Sequence, residues 1–128
     1  MPTTTVDAST RKLGEVSQKM MDEKAWMMSK NFDSDVIRYM EETFERVNLA
    51  RVIWPDEEAI GMINVSIKML SDLGNYLDDG YARRNNNKEV KRHIAELYRS
   101  ASDLADTIGA DAAAENLAWI ADTILESL

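Results

Sequence analysis

Few side chains in this chain are of types that carry chemistry. His93 is the one histidine among 128 residues, and cysteine is absent. Disulfides, thiolate metal sites and zinc or di-iron sites built on two histidines are therefore excluded. The chain also has no glycine-rich phosphate loop and no nucleophile motif. We therefore expect no metal, no cofactor and no catalysis, and we interpret His93, four residues after Glu89, as structural.

Carboxylates are the one plentiful reactive group. Glu42 and Glu45 have the three-residue spacing with which a helix offers two carboxylates to a divalent ion, as in helical metal-dependent phosphohydrolases. On a helical projection, however, both point away from the apolar side chains of Met40 and Phe44. Arg38 is also placed to bridge Glu42. A solvated charged face explains the pair better, so a carboxylate phosphohydrolase is only the lesser alternative.

These side chains lie on amphipathic helices. Apolar residues recur at three- and four-residue steps in five runs, at about 9–30, 33–54, 56–79, 87–108 and 111–128. Asn87 and Asp111 are placed to cap the last two runs, and Gly80 and Gly109 to end the third and fourth. The first run packs either on the other helices or on another subunit.

The third run, about 56–79, is apolar over much more than one stripe. Such a helix should be central, with neighbours on two sides. Gly61 and Gly74 lower its helix propensity, which indicates close approach by another helix. We predict an all-α fold: a compact antiparallel bundle of four to five helices with this apolar helix at its centre.

The length of the chain allows one domain, which we assign to residues 9–128 after a flexible polar tail, residues 1–8. The first residues do not have the pattern of a signal peptide, and no run of about 18 apolar residues predicts a membrane span. With cysteine absent as well, we expect a soluble, cytoplasmic protein that does not enter a membrane.

Charge is segregated along the chain, whose net charge is −8. Residues 81–100 hold six basic residues against two acids, whereas residues 101–128 hold six acids and no lysine or arginine. The short connection near Gly109 makes the last two helices antiparallel neighbours, so the two blocks come within reach of each other.

Trp119 is the strongest candidate for a binding residue. It projects away from the inner face of the last run, on one outer stripe with Glu115, Asp122 and Glu126. An exposed tryptophan among carboxylates is typical of an interface anchor for a basic partner. The alternative is that the first helix or a dimer mate covers it.

Leu49 and Ile53 are secondary candidates, because they make the end of the second run apolar on both sides. They predict internal packing, a partner site or a homodimer contact. We therefore predict a non-enzymatic protein–protein interaction module. It would be a small acidic regulator or inhibitor that docks on another protein, with mimicry of nucleic acid as one mode of docking.

Nucleic-acid binding is the alternative function. Basic residues cluster around the start of the fourth run, where side-chain charge and free backbone amides can meet phosphates. They are Arg83, Arg84, Lys88, Lys91 and Arg92. The acidity of the rest of the chain opposes this reading, since such proteins usually carry a basic footprint across the domain.

Overall fold

The computed structural model describes residues 3–82 and 87–128. These residues form five α-helices, and a π-helical turn, Asp78–Ala82, follows the third. The helices are α1 (Thr3–Ser29), α2 (Ser34–Ile53), α3 (Glu57–Leu77), α4 (Lys88–Thr107) and α5 (Asp111–Glu126). The predicted all-α bundle is confirmed. The predicted start of the first helix at residue 9 is wrong, because residues 3–8, expected as a polar tail, are helical.

Four of the helices pack as a closed ring. α1 packs on α2 and α4, and α3 packs on the same two helices from the other side. The first helix therefore packs within its own chain. α3 has neighbours on two sides, as its broad apolar arc predicts, although α4 has three neighbours because α5 also rests on it. Within the described residues, α5 contacts no other helix.

The core lies inside the ring and is built from the inward stripes of α1 to α4. α1 contributes leucine, valine and methionine at three- and four-residue steps, so Met20 and Met27 are core residues, whereas Met21 and Met28, outside this stripe, are exposed. The largest fully buried side chains are Leu13, Met20, Met27, Met40, Ile63, Leu70, Leu77, Ile94, Leu97 and Leu104. Burial of these side chains is the dominant favourable contribution to folding. Of the helices that the structure describes, none has both the length and the apolarity of a transmembrane helix.

Gly74 allows α3 to approach α4 closely. A Cβ atom at this position would lie 2.8 Å from Cε2 of Tyr98. The Tyr98 ring is buried, and its hydroxyl donates a hydrogen bond to Oδ1 of Asn75. The prediction of a close approach at Gly74 is therefore confirmed. At Gly61 it is wrong, because an added Cβ would meet no atom within 4 Å.

The two glycines predicted to end helices behave differently. Gly109 has a φ angle of 75°, the left-handed conformation that glycine adopts without strain, and it follows the end of α4. Gly80 does not have a positive φ angle. α3 ends earlier, at Leu77, and the chain continues into the π-helical turn that contains Gly80. The prediction that Gly80 ends the third helix is therefore wrong.

A side chain caps the start of α4 but not the starts of α2 and α5. Oδ1 of Asn87 accepts a hydrogen bond from the backbone N–H of Val90 at 3.2 Å, so the predicted cap of α4 is confirmed. Asp111 is the first helical residue of α5 instead of its cap, which is Ala110. Asp33 occupies the cap position of α2 but makes no side-chain capping bond.

Candidate interaction surfaces

Trp119 lies on the side of α5 that faces solvent. The buried residues of this helix, Leu117 and Ala121, lie on its α4 side, and Trp119 projects in the opposite direction with 65% of its surface exposed. The carboxylates predicted to surround it, Glu115, Asp122 and Glu126, are exposed as well. We call these four residues the Trp119 surface. Since α1 does not contact α5 among the described residues, the first helix does not cover Trp119.

Polar contacts hold α5 on α4. Arg99 of α4 forms an ion pair with Asp122, and the hydroxyl of Ser102 donates to the carbonyl oxygen of Ala114 at 2.7 Å. Asp103, four residues after Arg99 in α4, has the spacing of a helical ion pair, but Arg99 pairs with Asp122 instead. The cross-helix pair joins the basic and acidic blocks of the chain, and it neutralises one of the three carboxylates of the Trp119 surface.

The end of α2 divides its apolar residues between the core and the surface. Ile53 is half-buried and packs against the core, whereas Leu49 is 48% exposed. Leu49 lines an open groove of about 280 Å³ together with Glu42, Glu45, Arg46 and Met62. α2 and α5 do not touch within the described residues, so Leu49 and Trp119 belong to separate surfaces.

The Glu42 and Glu45 carboxylates are exposed at the rim of this groove. Arg38 lies 3.9 Å from Asp35 and not beside Glu42, so the predicted Arg38–Glu42 bridge is wrong. Among residues 3–82 and 87–128, no three histidine or carboxylate side chains are grouped to hold a metal ion.

Three of the five basic residues considered for nucleic-acid binding lie in the first two turns of α4. Lys88 and Arg92 are exposed, and Lys91 is half-buried. The other two, Arg83 and Arg84, lie outside the described residues.

A polar and aromatic cluster between α1 and α4 was not foreseen as a unit. The ring of His93 stacks on Trp26 with centroids 3.6 Å apart, and its Nδ1 lies 2.7 Å from the almost buried carboxylate of Glu23. Nε1 of Trp26 donates to Glu89 at 3.0 Å, and Lys30 pairs with the same carboxylate at 3.2 Å. The hydrogen bond from Trp26 and then the contact with Lys30 lower the pKa of Glu89. His93 contacts Trp26 and Glu23 where α1 packs on α4, and its predicted structural role fits this geometry.

Comparison with known proteins gives no relative on which to base a function. No family model, no curated protein and no solved structure matches this chain.

Proposed function

We propose that this protein acts by docking on another protein through the Trp119 surface. The observation that carries the proposal is the exposure of Trp119 on the side of α5 that faces away from α4, its one neighbouring helix among the described residues. Tryptophan is enriched among the residues that dominate binding energy, because it buries a large area and can still make a hydrogen bond through its indole nitrogen. A single ring exposed to this extent gives a partner an anchor to enclose.

The charge around the ring favours a basic partner. Glu115 and Glu126 are exposed on the same stripe and form no ion pair with a described residue, whereas Asp122 is already paired with Arg99. Carboxylates at the rim of an interface select the sign of the partner and speed its encounter more than they add affinity. A small acidic regulator or inhibitor, including one that mimics nucleic acid, is the form of this function that we propose.

The test is affinity capture from lysate treated with nuclease, comparing the unmodified protein with Trp119→Ala. Met28→Ala is the matched control, because Met28 is an apolar residue 56% exposed on α1, a different helix. We expect Trp119→Ala to lose the captured protein and Met28→Ala to retain it. Glu115→Gln/Glu126→Gln should capture less than the unmodified protein at low salt, and this difference should shrink as the salt concentration rises. Equal capture by the Trp119→Ala and Met28→Ala variants would refute the proposal.

Self-association through the same surface is the nearest variant of this function. Sedimentation of the purified protein distinguishes it, since a homodimer held by Trp119 should dissociate when Trp119 is replaced by alanine. A cytoplasmic location is part of the proposal and rests on the absence of cysteine.

Nucleic-acid binding remains the second candidate, because Lys88, Lys91 and Arg92 stand together at the start of α4. In the same capture experiment this function predicts nuclease-sensitive material that is lost with Arg83→Ala/Arg84→Ala and kept with Trp119→Ala. Its affinity should also fall steeply with salt. Thermal stabilisation by magnesium or manganese would instead favour the lesser alternative, a carboxylate enzyme.

A further inference from the structure

A second concave surface lies at the opposite end of the same helix pair, between the start of α2 and the end of α3. It is an open groove of about 420 Å³, a volume within the range of ligand pockets. Its lining residues are Asp35, Val36, Tyr39, Asp72, Leu73 and Tyr76. We call this the tyrosine groove. Neither α2 nor α3 contacts α5 in the described part of the chain, so the groove is separate from the Trp119 surface.

The floor of the tyrosine groove is apolar and two of its walls are aromatic. Val36 and Leu73 are buried members of the core, while Tyr39 is half-buried and Tyr76 is 50% exposed. Beyond Tyr76 lies the ring of Tyr81, with centroids 6.4 Å apart and an interplanar angle of 61°. Aromatic faces and buried aliphatic groups bind hydrocarbon stems and attract cations placed over the rings.

The charge of the tyrosine groove is negative. Asp35 and Asp72 are exposed at its edges, and no described residue forms an ion pair with Asp72. Burial raises the pKa of Tyr39, and the charge of Asp72 raises it further. On α2, Arg38 pairs with Asp35 at 3.9 Å, and Arg46, whose charge lowers the pKa of Tyr39, points its Nη1 at the sulfur of Met69 at 2.8 Å. The Asp72 carboxylate would therefore repel an anion, and a neutral apolar ligand would leave it without a counter-charge.

We propose that the tyrosine groove binds a lysine or arginine side chain of a partner protein. The aliphatic stem would pack on Val36 and Leu73, and the charged end would lie between the tyrosine rings and the carboxylate of Asp72. A protein is the favoured source of the cation because the groove is open along the surface, where a side chain can enter from a segment lying across it. This site is additional to the Trp119 surface and does not depend on it.

The test is an NMR titration of the ¹⁵N-labelled protein with acetyl-Gly-Lys-Gly-amide and acetyl-Gly-Arg-Gly-amide. The probe with norleucine in place of the basic residue is the neutral control. We expect saturable shift changes centred on Tyr39, Asp72 and Tyr76, and none with the norleucine probe. Tyr76→Ala should weaken binding by about twofold to thirtyfold, the range of a cation–π contact, whereas Tyr76→Phe should retain it.

Charge variants complete the design. Asp72→Asn should weaken binding, and Glu96→Gln, which removes a carboxylate exposed on α4, should not. No saturable binding, equal binding of the norleucine probe, or full affinity in the Tyr76→Ala variant would overturn the proposal. Stronger binding of n-butylammonium than of the lysine probe would overturn the assignment to a protein side chain. Tyr76→Ala should leave capture through Trp119 unchanged, so the two proposals can fail separately.

Discussion

Replacing Gly74 and Gly61 by alanine should have opposite effects on stability. Both glycines lie inside α3, where alanine favours the helix by about 1 kcal/mol over glycine. Gly61 faces open space, so Gly61→Ala should raise the free energy of unfolding by about that amount. Gly74→Ala instead places its methyl group 2.8 Å from Cε2 and 3.2 Å from Cζ of Tyr98.

The Tyr98 ring cannot move aside cheaply, because it is buried and its hydroxyl is bonded to Asn75. Overpacking of this kind costs roughly 1 to 3 kcal/mol. After the gain in helix propensity, Gly74→Ala should lower the free energy of unfolding by roughly 0 to 2 kcal/mol. The propensity gain is common to both variants, so the difference between them measures the contact alone.

Thermal and urea unfolding followed by circular dichroism measure both variants. In a chain of this length, 1 kcal/mol shifts the unfolding midpoint by roughly 3 to 5 °C. In a Tyr98→Leu background the ring is gone, so Gly74→Ala should there become stabilising. If Gly74→Ala raised the midpoint of the unmodified protein as much as Gly61→Ala does, the close approach of α3 and α4 would be refuted.

Three further predictions concern polar contacts. Glu23→Gln should cost roughly 1 to 3 kcal/mol of unfolding free energy, because Glu23 is almost buried and its partner His93 would lose a charged acceptor; an unchanged urea midpoint would contradict this. Burial raises the pKa of Tyr98 above its usual 10.0, so the folded state favours the neutral phenol. The stability that the neutral Tyr98 contributes is then present below about pH 10 and is lost as pH rises through the raised pKa. The Tyr98→Phe variant should therefore lose less stability at alkaline pH, as measured by urea unfolding at a series of pH values. Asn87→Ala should lower stability by about 1 kcal/mol through loss of the α4 cap, whereas Asn64→Ala, at an exposed position inside α3, should not lower it.

The parts of the fold that follow local rules could be predicted from the sequence. Apolar periodicity identifies the five helices and the outward direction of Trp119. The cap at Asn87 could be predicted because the residue it caps, Val90, lies only three positions away. The prediction for Gly80 is wrong because nothing in the local sequence distinguishes a left-handed helix end from a π-helical turn. The helices were therefore predictable in number and in type, but less so at their ends.

Contacts between helices were harder to predict, because they depend on how each helix is rotated against its neighbour. For this reason the spacing within α4 favours an ion pair of Arg99 with Asp103, whereas Arg99 pairs with Asp122 of α5. Trp26 and His93 stack although they lie far apart in sequence, and no spacing rule within one helix predicts such a contact. The tyrosine groove was missed in the same way, since its two walls come from different helices. The exposure of Trp119 follows from its position on one helix, whereas the identity of its partner does not follow from that position.

Among the described residues α5 packs on α4 alone, so detachment of α5 leaves the four-helix ring closed. Opening α5 exposes Leu117, Ala121 and the facing side of α4, while every contact among the first four helices remains. The free energy of this local opening is therefore smaller than that of global unfolding, and α5 amides should exchange with solvent sooner than those of α3. Any partner that encloses the outer side of α5 must hold this helix in place, so it should slow that exchange even where it touches no backbone amide.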